Sequence, residues 1–305
     1  MTMRAMAFTE YGGPDVLRLM DLDVPEPGPG QVRVRVRAAG VMPFDTGVRQ
    51  GAIRPPAAAF PVVPGNEFAG TVDAVGAEVT AFAPGADVLG FSLLGAYAQY
   101  VVVGADQLVA KPDAMDFVSA GGFSGNAQGA HMALSAVGVH PGDTVLVNGA
   151  AGGFGTLAVQ LARAWGAATV IGTASPRNHD HLRALGAVPV TYGEGLEDRV
   201  RALAPGGVDA AVDAAGAQAL RASVAVAKDR HRVATMLADE EAERLGVPPL
   251  RGTRTAERLA EVTALYAKGL LRVHLRATYP LQEAAAAHHA VESGHGRGKV
   301  VLTVG

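Results

Sequence analysis

The stretch Val145-Leu146-Val147-Asn148-Gly149-Ala150-Ala151-Gly152-Gly153-Phe154-Gly155-Thr156-Leu157-Ala158-Val159-Gln160-Leu161-Ala162 runs from an apolar β segment through a glycine-rich corner into a helical pattern. Glycines alone would mean little. Strand, glycine turn and helix in that order constrain the geometry far more, and the order reads as a dinucleotide site. Residues 145–147 supply the strand. Gly152, Gly153 and Gly155 permit backbone angles and a close approach that a Cβ would block. The helix N-terminus can then offer its free amides and the positive end of its dipole to a pyrophosphate. The competing interpretation is a glycine turn used for packing alone.

Outward from this corner the chain has two characters. Up to about residue 103 it consists of short β-like runs cut by Gly and Pro. Val32, Val34 and Val36 alternate with Arg33, Arg35 and Arg37, and residues 70–75 form a second run. Both fit half-buried strands. Residues 25–30 and 55–64 are too rich in Pro and Gly for strand interiors and are expected to be surface turns. After Lys111-Pro112 small apolar residues recur at helical spacing over 116–137. Strands then alternate with helices through 145–147, 168–172, 208–213 and 232–237, the signature of βαβ units and a mainly parallel sheet. Gly166 and Gly186 are placed as helix stops. Beyond Gly269 come a strand-like run, a helix around 281–291 and a final strand at 299–304, which is expected to rejoin the N-terminal β region. The fold class expected is α/β: a doubly wound parallel sheet plus a β-rich domain. The β-rich domain is assigned to 1–116, completed by 269–305, and the nucleotide domain to 117–268.

Composition limits the function. The 305 residues suffice for two ordinary domains. Charged residues are 18% of the chain and the net charge is -3, without runs of like charge, so no nucleic-acid or membrane surface is indicated. A small-molecule partner is expected. The chain has no cysteine, so it can form no disulfide, thiolate nucleophile or Cys-ligated zinc. No signal-length or membrane-spanning apolar segment is evident, and a cytoplasmic location is the expectation.

The end of the second nucleotide-domain strand distinguishes the cofactors. An NAD site places Asp or Glu there to bind the ribose 2′-hydroxyl. Here the strand runs into Thr173-Ala174-Ser175-Pro176-Arg177-Asn178-His179, and Asp180 is the first acid. Ser175 can hydrogen-bond a 2′-phosphate and Arg177 can pair with one, which points to NADPH. Arg177 as a plain solvated loop charge is the alternative.

The chain resembles the zinc-independent quinone oxidoreductase branch of the medium-chain dehydrogenase/reductase superfamily. The resemblance spans nearly the whole sequence. It rests on Tyr11-Gly12-Gly13-Pro14-Asp15-Val16-Leu17, on Ala39-Gly40-Val41 ahead of Pro43 and Asp45, and on Pro64-Gly65-Asn66-Glu67-Phe68-Ala69-Gly70. Further landmarks are Gly186-Ala187, Tyr192, Gly207-Val208-Asp209 through Asp213, and Arg297-Gly298-Lys299-Val300-Val301-Leu302. The resemblance implies a GroES-like substrate domain, a Rossmann domain for NADPH and hydride transfer in a cleft. It places the pyrophosphate on Gly152, Gly153, Phe154 and Gly155, with Ala151 and Thr173 among the cofactor contacts. Ser175, Arg177 and Tyr192 would enclose the 2′-phosphate end. Ala214, Ala215, Gly216, Met236 and Leu237 would line the nicotinamide and ribose, and Lys299 would approach from the last strand. A homodimer is also implied.

The chain departs from the family pattern at Met42, where Asn is common, near Gly129, where Thr is common, and at Arg230-His231 in place of Gly-Gly. Asn126 and Gln128 are the substitutes considered for the lost polar groups. Zinc-dependent relatives polarise a carbonyl with a metal. Where those ligands would lie this sequence offers Met42 and Asn66, so no metal is expected. The substrate must then bring its own electron sink, as quinones and α,β-unsaturated carbonyls do. Met42, Phe44, Asp45, Asn66, Tyr97 and Asn126 are the candidates to line the cleft. Tyr97 is open to two roles, a donor to a carbonyl oxygen or a packing residue, and Glu67 is expected to be a buried, paired structural acid. His179, His181, His288, His289 and His295 lack metal-site spacing. An NADPH-dependent quinone or enone reductase is the function expected. The alternative is a catalytically silent NADPH-binding sensor or interaction protein.

Overall fold

The computed structural model describes every residue except Ala57, Arg251 and His295. The chain divides into two compact units. Residues Met1–Gly125, Arg254–Ala267 and Leu275–Gly305 form a β-rich unit, and Asn126–Thr253 with Lys268–His274 form a nucleotide unit. His295, one of the histidines weighed above, lies outside the described residues.

The elements begin with β1 (Thr2–Ala7), β2 (Arg18–Asp23), β3 (Gln31–Val41), α1 (Pro43–Gln50), β4 (Glu67–Val75), β5 (Asp87–Phe91), β6 (Tyr100–Gly104), β7 (Leu108–Ala110), α2 (Phe117–Gly121) and α3 (Ser124–Ala136). They continue with β8 (Thr144–Asn148), α4 (Gly153–Ala164), β9 (Thr169–Thr173), α5 (His179–Ala184), β10 (Val188–Val190), α6 (Leu196–Leu203), β11 (Ala210–Asp213), α7 (Ala217–Val226), β12 (Val233–Thr235) and α8 (Asp239–Leu245). The chain closes with α9 (Ala256–Ala267), β13 (Leu275–Pro280), α10 (Ala284–Glu292) and β14 (Lys299–Thr303).

In the β-rich unit the alternation read from β3 has its physical meaning. Val32, Val34 and Val36 point into the core with Phe68, Val72, Val101 and Leu302, while the intervening arginines lie on the other face. β3 is the hub of a largely antiparallel sheet, pairing with β4, β6 and β14. The last strand does return: Val300 faces Val41 and Leu302 faces Ala39. β13 lies parallel beside it. Glycine allows the closest strand contacts. A Cβ on Gly70 would sit 2.1 Å from the Arg35 carbonyl oxygen of β3.

The unit division falls after Gly125, later than the 116/117 boundary expected from composition. The reason is local. A Cβ on Gly121 would lie 2.7 Å from the Ala38 carbonyl carbon, so α2 is seated directly on β3. Helix α9 also belongs to the β-rich unit, where Tyr266 meets Phe123 edge to face.

The nucleotide unit holds a parallel sheet in the order β10-β9-β8-β11-β12. Val145, Leu146 and Val147 are fully buried, as a continuous apolar run in a covered parallel sheet must be. The order reverses between β8 and β11, the switch point at whose C-terminal edge such sheets bind ligands. The described sheet stops at β12, and Pro248 and Pro249 after α8 lack the donors a sixth strand would need. Among the described residues no helix is long and apolar enough to cross a membrane.

Gly70→Ala should lower unfolding stability by about 1–3 kcal/mol, because the facing obstacle is backbone and has no rotamer to change. Denaturant unfolding measures it, and an unchanged midpoint would contradict this packing.

Candidate active site

The glycine corner has the geometry that a phosphate cradle requires. Gly149 follows β8 with φ at 71°, in the left-handed region. Its N–H donates to Thr173 Oγ1 at 3.1 Å, and the Ala150 N–H donates to the Thr173 carbonyl at 3.0 Å. Gly152 is the N-cap of α4, and the ladder begins with Thr156 N–H donating to the Gly152 carbonyl at 2.9 Å. The amides of Gly153, Phe154 and Gly155 therefore have no acceptor within the helix. A Cβ on Gly155 would lie 2.3 Å from the Gly149 carbonyl oxygen, so the helix packs on the turn at a distance only glycine allows. Thr173 is buried, with its hydroxyl used to hold the turn.

Two buried residues that sequence reasoning did not assign to the site set the adjoining loops. Asp213, at the end of β11, accepts the Ala215 N–H at 3.0 Å and the Gly216 N–H at 3.3 Å. It also accepts the Thr235 hydroxyl at 2.8 Å. Thr235 Oγ1 in turn accepts the Leu237 and Ala238 amides, each at 3.2 Å. The two loops assigned to the nicotinamide end, 214–216 and 236–237, are thus tied to one carboxyl group, whose pKa burial raises. Gly129 faces the same region: a Cβ there would be 3.6 Å from both Met236 and Phe154. Arg230 and His231 fall in a short turn before β12, at the strand end opposite these loops.

At the end of β9, Ser175 is half-buried and Arg177 exposed. Asn178 donates to Ser175 Oγ at 3.3 Å. Asp180, the nearest acid, is paired with Arg183 at 2.6 Å. Tyr192 is 57% exposed, on a loop held by Arg199, which donates to the carbonyls of Thr191 and Glu194 at 3.0 and 2.7 Å. His181 meets Thr156 Oγ1 at 3.3 Å and packs its ring on His274.

The β-rich unit contains a buried polar cluster. Met42 and Phe44, at the start of α1, are half-buried, while Asp45, Asn66 and Tyr97 are buried. Asn126 belongs to the nucleotide unit, and the neighbouring Gln128 is buried. Asp45 Oδ2 accepts the Met42 N–H at 2.8 Å and lies 3.3 Å from the Tyr97 hydroxyl, which lies 3.3 Å from His288 Nε2. Tyr97 is therefore a core residue whose hydroxyl is engaged inside the unit. Burial pushes the Asp45 carboxyl up to about 7 and the His288 imidazole down to about 3. Glu67 is buried and ion-paired with Lys299, and its other oxygen accepts the Gly125 N–H at 2.6 Å. The Lys299 ammonium is thus held by Glu67. Gly40 makes room for this carboxylate, since a Cβ there would meet Glu67 Oε1 at 2.1 Å.

Arg254, missed by sequence reasoning, donates to the carbonyls of Asn66 and Ser92, each at 2.7 Å, and lies over the Phe91 ring. Nothing local in the sequence marks it, because its partners are 188 and 162 positions away. This donor set does not suit zinc: a thioether at Met42, a neutral side-chain amide at Asn66 and no thiolate in the chain.

Removing one member of the buried pair should be costly. Lys299→Met leaves the Glu67 carboxylate uncompensated and should cost about 3–5 kcal/mol, much of it recovered by adding Glu67→Gln. Urea unfolding of the wild type and the two variants checks this, and a double variant no more stable than the single would contradict it.

Known proteins share this architecture. Residues 28–113 match the alcohol dehydrogenase GroES-like domain and residues 185–302 the zinc-binding dehydrogenase family. A quinone oxidoreductase of Pongo abelii is 31% identical, the match covering 98% of this chain and 97% of that protein. A chloroplastic NADPH-dependent alkenal/one oxidoreductase of Arabidopsis thaliana is also 31% identical, over 98% of this chain and 79% of that protein. A crystal structure described as an NAD-dependent alcohol dehydrogenase superposes with a TM-score of 0.89 at 32% identity, covering 99% of this chain and 100% of that one. The chain is an oxidoreductase with a nicotinamide cofactor, and it belongs to the quinone oxidoreductase family of the medium-chain dehydrogenase/reductase superfamily.

Proposed function

We propose that the chain is an NADPH-dependent reductase of quinones or α,β-unsaturated carbonyls that works without a metal. The observation that carries the cofactor choice is the end of β9, where the strand end and the turn after it carry no carboxylate to bind a ribose 2′-hydroxyl or repel a phosphate. Ser175 and Arg177 lie on that turn, and the first acid, Asp180, comes only in the following helix α5. The pyrophosphate is assigned to the amides of Gly153, Phe154 and Gly155, with Ala151 and Gly152 in the same turn. Tyr192 is assigned to the 2′-phosphate end, and the loops 214–216 and 236–237 to the ribose and nicotinamide. The name of the Arabidopsis relative supports NADPH, while the alcohol dehydrogenase neighbour is described as NAD-dependent. The residues at the end of β9 favour the former.

Bound NADPH supplies the hydride. The acceptor class follows from what the β-rich unit offers. With Met42 and Asn66 where metal ligands would stand, no Lewis acid activates an isolated ketone. Quinones and enones need none, because added hydride yields a delocalised anion. Met42 and Phe44 are assigned as an apolar wall for such an acceptor, and Asn66 as fixed by Arg254 behind it.

NADPH oxidation with a panel of quinones and enones tests the reading, and turnover of at least one class is expected. Tight NADPH binding with no turnover across the panel would favour a silent binding protein instead. Arg177→Ala should raise KM for NADPH by about tenfold or more while leaving NADH little changed, as loss of a charge-assisted phosphate contact requires. Equal losses for the two cofactors would overturn the phosphate assignment.

A further inference from the structure

Asp45, Tyr97 and His288 form a chain that the proposed chemistry does not use directly. All three are fully buried in the β-rich unit. They come from α1, the segment between β5 and β6, and α10, and the two links are both 3.3 Å. Asp45 Oδ1 and His288 Nδ1 have no hydrogen-bond partner among the described residues. Asp45 also closes the N-terminus of α1, since it accepts the backbone N–H of Met42.

Resting on the reading of Met42 and Phe44 as the acceptor wall, we propose that His288, acting through Tyr97, is a positioning residue. It governs whether Asp45 is a carboxylic acid or a carboxylate, and thereby how the start of α1 presents Met42 and Phe44.

The hydrogen-bond inventory gives the reason. When Asp45 carries a proton, its O–H donates to Tyr97, and the Tyr97 O–H donates to an unprotonated His288 Nε2. When Asp45 is ionised, the Tyr97 O–H turns to the carboxylate, and Nε2–H donates to the phenol oxygen. A neutral imidazole serves both arrangements because either nitrogen can hold the proton. His288 remains neutral throughout, since burial and the facing Arg49 oppose its charging. The two forms of Asp45 differ in their grip on α1: a carboxylate holds the Met42 amide and the helix dipole more tightly than an acid does.

The surrounding charges are fixed. Arg49, on α1 facing His288, is ion-paired with Glu292 of α10, and Glu292 also accepts from Gln50 at 2.7 Å. Exposed His289, next to His288 on α10, adds a further cost to charging it. Lys299 of β14 favours ionised Asp45, and Glu67 of β4 opposes it. Those two are paired with each other, and Arg254 is the remaining cation coupled to the cluster. Burial is the largest influence and places the Asp45 transition near neutrality, where a small bias decides its state.

The test is a pH titration of the intact protein carrying carboxyl-13C aspartate, with the Asp45 resonance identified by its loss in Asp45→Asn. A midpoint near neutrality is expected. Tyr97→Phe removes the donor to the carboxylate and should raise the midpoint. His288→Leu leaves the Tyr97 O–H without an acceptor when Asp45 is protonated but costs the ionised form only a donor to the phenol oxygen; a buried orphan O–H is the larger loss, so the midpoint should fall, each shift being about one pH unit. Opposite shifts would support the proposal. An Asp45 midpoint in the ordinary carboxyl range, or a His288→Leu midpoint equal to that of the wild type, would overturn it. Should His288→Leu fail to fold, His288→Gln offers Tyr97 both a donor and an acceptor and should keep the wild-type midpoint. A midpoint displaced as far as in Tyr97→Phe would then overturn the proposal.

The kinetic arm is KM for a quinone against pH, which should change across the Asp45 midpoint with kcat little altered and follow that midpoint in the variants. A KM that ignores the midpoint would overturn the link to Met42 and Phe44. Absence of any quinone or enone turnover would instead defeat the reductase reading, while the titration would still decide whether His288 controls Asp45.

Discussion

The nucleotide unit depends on one close contact, the seating of the first turn of α4 on the end of β8. Gly149 in its left-handed conformation and Gly155 against the Gly149 carbonyl bring the helix end to the sheet edge. Three helix amides are left facing outward at the point where strand order reverses. In the proposed reading these amides receive the pyrophosphate without a charged side chain. Asp213 and Thr235 extend the same sheet edge by tying the two loops assigned to the nicotinamide end to one buried carboxyl.

In the β-rich unit, buried polar groups satisfy one another. Glu67 and Lys299 neutralise each other, Arg254 is held by two carbonyls, and Asp45 shares hydrogen bonds with Tyr97 and Met42. The proposed reaction draws its driving force from the cofactor and from the electron demand of the acceptor. In that proposal Met42 extends an apolar wall where an amide would have offered polar contact.

Local patterns in the sequence are legible wherever neighbouring residues determine structure. The glycine corner, the alternation in β3, the strand and helix sequence after Lys111-Pro112 and the return of the final strand all follow from short-range periodicity and turn chemistry. What cannot be read depends on residues distant in sequence. Arg254 meets Asn66 across 188 positions, and His288 meets Tyr97 across 191. A place at a strand end suggests a cofactor contact for Thr173, yet its hydroxyl faces inward to Gly149. A place in the final strand suggests the same for Lys299, whereas its ammonium is held by Glu67. The seating of α2 on β3 through Gly121 moves the unit division past the compositional change at Pro112.

Selection of NADPH by a phosphate-accepting nucleotide edge is the claim on which the proposed chemistry rests. Calorimetric titration of the protein with NADPH, NADH and adenosine 2′,5′-bisphosphate tests it most directly, because it measures the phosphate pocket without requiring turnover. Saturable binding of NADPH and of the bisphosphate is predicted, with NADH much weaker. NADH binding as tightly as NADPH, with no heat from the bisphosphate, would contradict it.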